Sequence, residues 1–293
     1  MPNAHTDDGV SLYYEDTGAG DPILFLHEFA GDHRTWEQQV RHFSRTYRCL
    51  VPAARGFPPS QVPSDPAAYT QERAVADAIA VLDAAGVESA YVVGNSMGGF
   101  GALHAALKHP GRVRGAVVAG CGYGAHPDKE ATFRAESAKI AEAFETEGSA
   151  AMAQWYGVGP ARVQYEAKDP RGHAEHVRVL AQHDPVGAAN TMRGVQMGRP
   201  SLYAMRDELS RCEPPVLVIA GDEDDGALET DLMLKRTIPR CGLAVLPRSG
   251  HVTNLEEPVL FNGLLERFFA AVEHDAWGVR DPRSLSSSTT GAK

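Results

Sequence analysis

Short apolar runs alternate with longer segments of helical periodicity along most of this 293-residue chain. Apolar or alternating runs predict strands at residues 11–16, 22–27, 47–51, 90–93, 113–120, 215–221 and 243–246. Apolar residues at helical spacing predict helices at residues 35–43, 71–85, 100–110 and 255–272. This alternation predicts an α/β fold, with a mostly parallel central sheet and helices on both faces.

The alternation stops between residues 125 and 209, where no strand pattern is present. Helical patterns occur there at residues 131–147, 174–182 and 188–197. A helical insertion between two strands of a sheet predicts a lid over a binding site. The Ser- and Thr-rich C-terminus predicts a disordered tail, which we place at residues 276–293.

The segment Gly94-Asn95-Ser96-Met97-Gly98 lies between a predicted strand and a predicted helix. It matches G-x-S-x-G, the sharp turn that presents a nucleophilic serine. Gly94 and Gly98 lack a Cβ and so allow a strained backbone around the serine. Met97 would give a backbone N–H to an oxyanion, helped by the positive end of the following helix. Ser96 is therefore the candidate nucleophile.

A serine nucleophile needs a base and an acid that orients the base. The loop after the predicted strand at 215–221 carries several carboxylates, and the loop after 243–246 carries His251. The chain order of serine, acid and histidine, each just beyond a strand, is the order described for α/β-hydrolases.

On these motifs the chain resembles the α/β-hydrolase superfamily, in its serine-nucleophile, esterase- and lactonase-like branch, over roughly residues 12–272. The resemblance implies an α/β-hydrolase core at residues 1–124 and 210–275, with residues 125–209 as the helical lid. The family usually places its acid three residues beyond a loop glycine, in G-x-x-D. That spacing favours Asp224.

Asp222 and Asp225 remain the alternatives for the acid. The family's histidine motif, G-H-x-x-x-x-E-x-P, is matched at residues 250–258 and supports His251 as the base.

The family's second oxyanion donor follows a strand that ends in H-G. This chain has His27-Glu28-Phe29 at that place, so Phe29 supplies the second N–H by position and Glu28 replaces the usual glycine. A carboxylate that faced an oxyanion would oppose its negative charge. We therefore expect Glu28 to point away and to bond to backbone or to a basic residue such as Arg55.

Six residues are candidates for the substrate pocket because they lie near predicted strand ends or in the predicted lid. They are His27, Glu28, Asn95, Cys121, Trp155 and Tyr156. His173 and His176 are three apart and could share a helical face, as metal ligands do. Because no third ligand is evident, we predict solvated lid histidines and no metal site.

The resemblance implies acyl transfer through a Ser-His-Asp triad, without a metal or organic cofactor. The leading interpretation is a hydrolase of a small-molecule carboxylic ester or lactone. One alternative is a carbon–carbon bond hydrolase of the ring-fission-product type, to which Asn95 is similar, although Leu255 stands where that group usually has tryptophan. That group also uses a basic lid residue, for which the candidates are Arg171, Arg178, Arg193 and Arg199. A non-hydrolytic lyase or cyclase is a further alternative.

The composition limits the binding partners and the cellular compartment that we expect for this protein. The chain has 38 acidic and 28 basic residues, a formal net charge of −10. This balance argues against nucleic acid and against an anionic membrane as partners. No apolar run approaches a membrane span, the N-terminal residues lack a secretory pattern, and the four cysteines are scattered. We expect a cytoplasmic enzyme with a small-molecule substrate; whether it forms a homodimer is left open.

Overall fold

The computed structural model describes residues 2–285, which contain an eight-stranded sheet. The strands are β1 (Asn3–His5), β2 (Ser11–Gly18), β3 (Asp21–Leu26), β4 (Tyr47–Pro52), β5 (Ala90–Asn95), β6 (Val113–Ala119), β7 (Val216–Gly221) and β8 (Cys241–Leu246). Their spatial order is β1-β2-β4-β3-β5-β6-β7-β8. All neighbours from β4 to β8 are parallel, whereas β2 is antiparallel to β1 and β4. The predicted fold class is confirmed, and β1 is a strand that the sequence patterns did not predict.

Helices cover both faces of this sheet. They are α1 (Glu37–Phe43), α2 (Gln71–Ala84), α3 (Met97–Lys108), α4 (Pro127–Glu147), α5 (Ser149–Trp155), α6 (Val163–Lys168), α7 (Pro170–Leu180), α8 (Pro185–Thr191), α9 (Arg206–Leu209), α10 (Leu228–Thr237), α11 (Thr253–Glu256) and α12 (Pro258–Glu273). We call α4 to α9, which lie between β6 and β7, the inserted helices. None of the helices within residues 2–285 is long and apolar enough to cross a lipid bilayer.

The central strands are buried on both sides because their side chains alternate between two apolar layers. Ile23 and Phe25 of β3 pack in the layer formed with α1 and α12. Leu24, between them, packs in the opposite layer, formed with α2, α3 and α10. This two-sided burial explains why the central strands read in the sequence as continuous apolar runs.

The order of the strands reverses between β3 and β5. The chain leaves β3 toward α1 on one face, and it leaves β5 toward α3 on the other. Connections that diverge in this way leave a crevice beyond the carboxyl ends of the two strands, where open α/β sheets bind ligands. Leu26 pairs with Gly94 at this edge, so the residues that follow each of them border the crevice.

The inserted helices pack on the loops at that edge of the sheet. Phe144, Met152 and Leu180 of these helices share an apolar cluster with Phe29 and Met97. Phe29 follows β3, and Met97 begins α3. The inserted segment therefore packs directly on the residues that follow β3 and β5, and it contains helices but no strand among its described residues.

The predicted disordered tail, residues 276–293, is only partly within the structure, since residues 286–293 lie outside the described part. Trp277, inside the predicted tail, is packed: its ring lies edge-on to Phe268 with 4.7 Å between centroids. Its indole N–H donates to the carbonyl oxygen of Arg240 at 3.0 Å. Ordered packing extends past residue 276 because the indole has an apolar surface to cover on α12 and a carbonyl to bond.

A buried histidine in α3 makes stability depend on pH. His104 is 5% exposed, and its Nε2 has no hydrogen-bond partner among the described residues. Burial, with a contribution from the charge of Lys108, lowers the pKa of His104 to about 4. A histidine in the unfolded chain titrates near the ordinary value of 6.5. Below pH 6.5, protons therefore bind preferentially to the unfolded chain. The contribution of neutral His104 to the free energy of unfolding is fully present above pH 6.5 and is lost as the pH falls.

We predict that acid destabilises the wild type more than a His104→Leu variant. As the pH falls from about 6.5 to about 4, the wild type should lose about 3 kcal/mol more of its free energy of unfolding than the variant. Urea unfolding at a series of pH values measures this difference. His5→Leu, at an exposed position, is the control and should follow the wild-type profile. Identical pH profiles for the wild type and His104→Leu would contradict the prediction.

Candidate active site

Ser96 occupies the turn between β5 and α3. Its backbone has φ 53° and ψ −116°, in a region that residues with a side chain rarely adopt. The Ser96 N–H donates to the carbonyl oxygen of Ala119 at 2.8 Å, which ties the turn to β6. A strained residue held by surrounding structure in a crevice is a frequent feature of functional sites.

Two glycines allow this turn because backbone approaches them closely. A Cβ added to Gly94 would lie 2.0 Å from the carbonyl oxygen of Gly98. A Cβ added to Gly98 would lie 2.0 Å from the carbonyl oxygen of Leu26, the last residue of β3. The start of α3 is therefore in direct contact with the end of β3.

Asp224 and His251 come together at the same edge of the sheet. Asp224 lies in the loop after β7, His251 lies in the loop after β8, and both are buried. The His251 Nδ1–H donates to Asp224 Oδ2 at 2.8 Å, so the lone pair of the ring is at Nε2. Burial alone would raise the pKa of the Asp224 carboxyl, but His251 and a hydrogen bond from Tyr123 hold it below its ordinary value.

The loop that carries His251 is fixed from both sides. Glu256 accepts the backbone N–H of Gly250 at 2.7 Å and that of Val252 at 3.1 Å. A Cβ added to Gly120, just after β6, would lie 2.8 Å from the carbonyl oxygen of His251. Since β6 pairs with β5, this contact places the His251 loop beside the strand that ends just before Ser96.

Tyr123 is a site residue that the sequence patterns did not indicate. Its ring lies edge-on to His251, with 5.0 Å between centroids. Burial and the charge of Asp224 raise the pKa of its hydroxyl, which keeps the phenol neutral. Tyr123 therefore packs against the imidazole and faces the carboxylate that orients it.

The two predicted oxyanion donors lie in the two chain segments that follow β3 and β5, at the crevice. Phe29 is buried, with its ring edge-on to Phe57 at 6.2 Å and to Phe144 and Tyr156 at 5.7 Å each. Met97 is the first residue of α3. Packing of the inserted helices on Phe29 therefore fixes the backbone of its loop.

Glu28 bonds to backbone and to basic residues, but Arg55 is not among its partners: the Ala30 N–H donates to its Oε2 at 3.4 Å. Its carboxylate is 4% exposed and lies 2.5 Å from Nη2 of Arg162 and 3.2 Å from Nε2 of His176. Both partners come from the inserted segment, whereas Arg55 binds two aspartates at 2.6 and 2.7 Å. Burial would raise the pKa of Glu28, but Arg162 and His176 hold it below its usual range.

Of the other pocket candidates, His27 has both ring nitrogens engaged by backbone. Its Nδ1–H donates to the carbonyl oxygen of Glu28 at 2.7 Å, and its Nε2 accepts the N–H of Ala54 at 3.0 Å. Asn95 is buried at the end of β5, and its amide has no hydrogen-bond partner among the described residues. Cys121 is fully buried, and burial raises the pKa of its thiol well above the usual range.

The two aromatic residues that were predicted to line the pocket from the lid, Trp155 and Tyr156, lie in different environments. Trp155 is 46% exposed, so its placement in the pocket is wrong. Tyr156 turns inward against Phe29, and burial raises the pKa of its hydroxyl to about 12. Side chains of adjacent residues in helical conformation point about 100° apart. Trp155 therefore faces solvent while Tyr156 faces Phe29.

The predicted solvated histidines are also wrong, since His173 and His176 are both buried. His173 Nε2–H donates to the carbonyl oxygen of Gly157 at 3.0 Å, whereas His176 faces Glu28. No group of three or more His, Cys, Asp and Glu side chains suited to a metal ion occurs within residues 2–285.

Arg162 is a buried basic residue of the inserted segment that was not among the four candidates. Arg171 and Arg178 are exposed, and Arg193 pairs with Glu145. Arg199 is buried, with its guanidinium 3.6 Å from the centroid of the Phe100 ring. Arg162 follows a short Gly-Pro-Ala turn, and no pattern around it indicates its direction.

Known proteins share this architecture over most of the chain. A family model described as alpha/beta hydrolase fold matches residues 21–258. The 2-hydroxymuconate semialdehyde hydrolase of Pseudomonas sp. (strain CF600) is 28% identical, over 90% of this chain and 92% of that protein. A thermophilic esterase from Thermogutta terrifontis has a TM-score of 0.80 at 25% identity, over 92% of this chain and 98% of its own. Est816, an N-acyl homoserine lactone degrading enzyme, has a TM-score of 0.73 at 30% identity, over 91% of this chain and 100% of its own.

We predict that Gly98→Ala destabilises the protein by at least about 2 kcal/mol, because backbone rather than a flexible side chain opposes the new methyl group. Gly101→Ala in the same helix is the matched control, since its Cβ would meet only Leu26 Cδ1, at 3.2 Å. That variant should be as stable as the wild type or slightly more stable. Urea unfolding of both variants measures the difference, and equal stabilities would refute the proposed contact between α3 and β3.

Proposed function

The chain belongs to the α/β-hydrolase fold family and is an enzyme of that class, and we propose that it is a serine hydrolase of small-molecule carboxylic esters or lactones. The observation that carries this proposal is the buried Asp224–His251 hydrogen bond at the sheet edge where the turn of Ser96 lies. A base with its proton fixed at Nδ1 has Nε2 available for a serine hydroxyl.

In the proposed mechanism, His251 Nε2 takes the proton of Ser96 Oγ as the oxygen attacks the substrate carbonyl. Asp224 fixes the imidazole tautomer and stabilises the imidazolium that forms. The imidazolium then gives its proton to the leaving alkoxide, and an acyl-enzyme remains. Water, deprotonated by His251, attacks the acyl group, and the proton returns to Ser96 when the acid departs. Every proton in this cycle moves through the chain's own residues.

The negative charge of the tetrahedral intermediate would be bound by the backbone N–H groups of Phe29 and Met97. Met97 begins α3, where the positive end of the helix dipole adds to the attraction. Removing one such donor in other hydrolases costs roughly a hundredfold to a thousandfold in kcat. The pairing of Glu28 with Arg162 supports this role, because it offsets a carboxylate one residue from the proposed donor.

The ester and lactone substrates are supported by the named activities of similar proteins. The esterase from Thermogutta terrifontis and the N-acyl homoserine lactone degrading enzyme both have this fold over nearly the whole chain. A serine nucleophile with a fixed histidine is suited to either substrate, since a lactone is a cyclic ester.

The alternative is a carbon–carbon bond hydrolase, and one relative favours it. The similar 2-hydroxymuconate semialdehyde hydrolase covers 90% of this chain. Arg162 and Arg199 are the two buried arginines of the inserted segment, and either would be available to such an enzyme. The charge of Arg162 is already matched by Glu28, and Leu255 stands where such enzymes usually have tryptophan, so the ester or lactone reaction is the better-supported proposal.

We predict turnover of short p-nitrophenyl esters that depends on Ser96 and Asp224. Ser96→Ala should lower kcat/KM at least about a thousandfold, and Asp224→Asn should lower kcat by roughly the same factor. Asp225→Asn is the matched control because Asp225 is exposed in the same loop, and its rate should stay within about twofold of wild type. Absorbance at the nitrophenolate band gives the rates.

Equal losses in Asp224→Asn and Asp225→Asn would contradict the assignment of Asp224. Turnover by Ser96→Ala at the wild-type rate would contradict the serine mechanism. Turnover of a dienone substrate without turnover of any ester would favour the carbon–carbon bond hydrolase.

A further inference from the structure

Arg199 is a buried charge that the proposed mechanism does not use. It lies between α8 and α9, near the end of the inserted segment, and it is 8% exposed. Within residues 2–285 its side-chain hydrogen bonds go to neutral groups. Glu130 and Arg134 border the same small cavity, but they pair with each other at 3.2 Å. A buried guanidinium bonded to neutral groups costs stability, so the contacts that hold it there need an explanation.

Three neighbours hold the Arg199 guanidinium in place. Its Nη2 donates to the carbonyl oxygen of Tyr123 at 2.7 Å, and its Nη1 donates to Oε1 of Gln196. Its central carbon lies 3.6 Å from the centroid of the Phe100 ring, in α3. The face of that ring offsets part of the cost of burying the charge. Arg199 therefore ties the end of the inserted segment to the loop after β6, from which that segment departs.

The Tyr123 side chain points from that loop toward His251 and Asp224, which we call the His–Asp pair. Its ring lies edge-on to the imidazole of His251, with 5.0 Å between centroids. A Cβ added to Gly226 would lie 2.2 Å from Cζ of Tyr123, so the ring is in contact with the loop that carries Asp224. The backbone of Tyr123 is thus held by the inserted segment, whereas its ring supports the base and the loop of the acid.

The loop after β6 has a further contact with each of these two parts of the molecule. Gly120 approaches the carbonyl oxygen of His251, and the hydroxyl of Ser201 donates to the carbonyl oxygen of Ala125. Residues 120–125 are therefore in contact with both the inserted segment and the loop of the base. A displacement of about 1 Å at a reacting group can lower a rate roughly a hundredfold, so the contacts that fix this loop bear on the reaction.

We propose that Arg199 is a positioning residue for the His–Asp pair, and that it acts through Tyr123. The guanidinium fixes the backbone of Tyr123, and the ring of Tyr123 keeps His251 and the Asp224 loop in the geometry of their hydrogen bond. The inference rests on the proposed serine hydrolase function, because it concerns the base and the acid of that reaction. Since Arg199 acts through another residue, its loss should slow the chemical steps and leave substrate binding nearly unchanged.

Arg199→Met keeps an unbranched apolar side chain and removes the donor to Tyr123. With a short p-nitrophenyl ester, it should lower kcat at least about tenfold and leave KM within about twofold of wild type. Both halves of the reaction should slow, because His251 serves in acylation and in deacylation. Arg193→Met is the matched control, since Arg193 belongs to the same segment but is 37% exposed and pairs with Glu145. Its kcat should stay within about twofold of wild type.

Gly226→Ala tests the Tyr123 ring independently of Arg199. The new Cβ would displace the ring, so kcat should fall at least about fivefold. In a Tyr123→Ala background the ring is absent, and Gly226→Ala should then change kcat by less than about twofold. Gly263→Ala is the control, since its Cβ would meet no neighbouring atom within 4 Å in the described part of the chain. An equal loss from Gly226→Ala in both backgrounds would overturn the inference.

The hydrogen bond of the His–Asp pair can be observed without a substrate. The Nδ1 proton of His251 should give an NMR signal downfield of the backbone amides, and loss of this signal in a His251→Ala variant identifies it. The signal should be present in the wild type and in Arg193→Met. In Arg199→Met and in Gly226→Ala it should move upfield or disappear, because the bond lengthens and the proton exchanges faster with water.

A folded Arg199→Met variant with the wild-type kcat and the wild-type NMR signal would overturn the inference and leave the hydrolase function standing. A loss confined to KM would also overturn it, because that result marks a group that binds the substrate. If Arg199→Met does not fold, the comparison of Gly226→Ala in the two backgrounds takes its place. Failure of the wild type to hydrolyse any ester would overturn the proposed function, whereas the NMR comparison would still determine whether Arg199 holds the His–Asp pair.

Discussion

The close packing of α3 against the end of β3 is the constraint on which the site depends. Gly98 allows the helix to approach the carbonyl oxygen of Leu26, which no residue with a Cβ would permit. The approach puts the start of α3 beside the loop that carries Phe29, and it leaves Ser96 in a strained turn at the strand-order reversal. The positions of the proposed nucleophile and of both proposed oxyanion donors thus follow from one contact between two backbones.

The inserted helices add a second layer of constraint through an apolar cluster and a buried ion pair. Phe144 and Tyr156 fix Phe29 by ring contacts, whereas Arg162 and His176 meet the carboxylate of Glu28. A buried ion pair is weak evidence for stability, because desolvation offsets most of its attraction. Its value here is chemical, because it allows a carboxylate to stand one residue from a proposed oxyanion donor.

Sequence patterns predicted the parts of the molecule that local rules determine. Strands that are buried on both faces appear in the sequence as apolar runs, and the turn around Ser96 is recognised by its glycines. Both features are determined by residues that are adjacent in the chain. The resemblance to the family, through its usual spacing after a loop glycine, favoured Asp224, and the structure brings that residue, not Asp222 or Asp225, into contact with His251. The three-residue strand β1 was missed because its pattern is too short to distinguish from a loop.

The contacts of the inserted helices could not be predicted because they depend on how those helices dock. Arg55 is nearer than Arg162 to Glu28 in sequence, yet Arg162 is the partner. Trp155 belongs to a helix of seven residues, too short for its apolar residues to define one buried face. His176 looked like a surface histidine because the residue that it meets lies 148 positions earlier in the chain.

The central claim is that Ser96 forms a covalent intermediate, and trapping that intermediate tests it most directly. The protein would be treated with diethyl p-nitrophenyl phosphate, and its intact mass and peptide masses would be measured. We predict one diethylphosphoryl group per chain, on the peptide that contains Ser96, and none on the Ser96→Ala variant. A chain that stays unmodified, or a group attached to another residue in both proteins, would contradict the account.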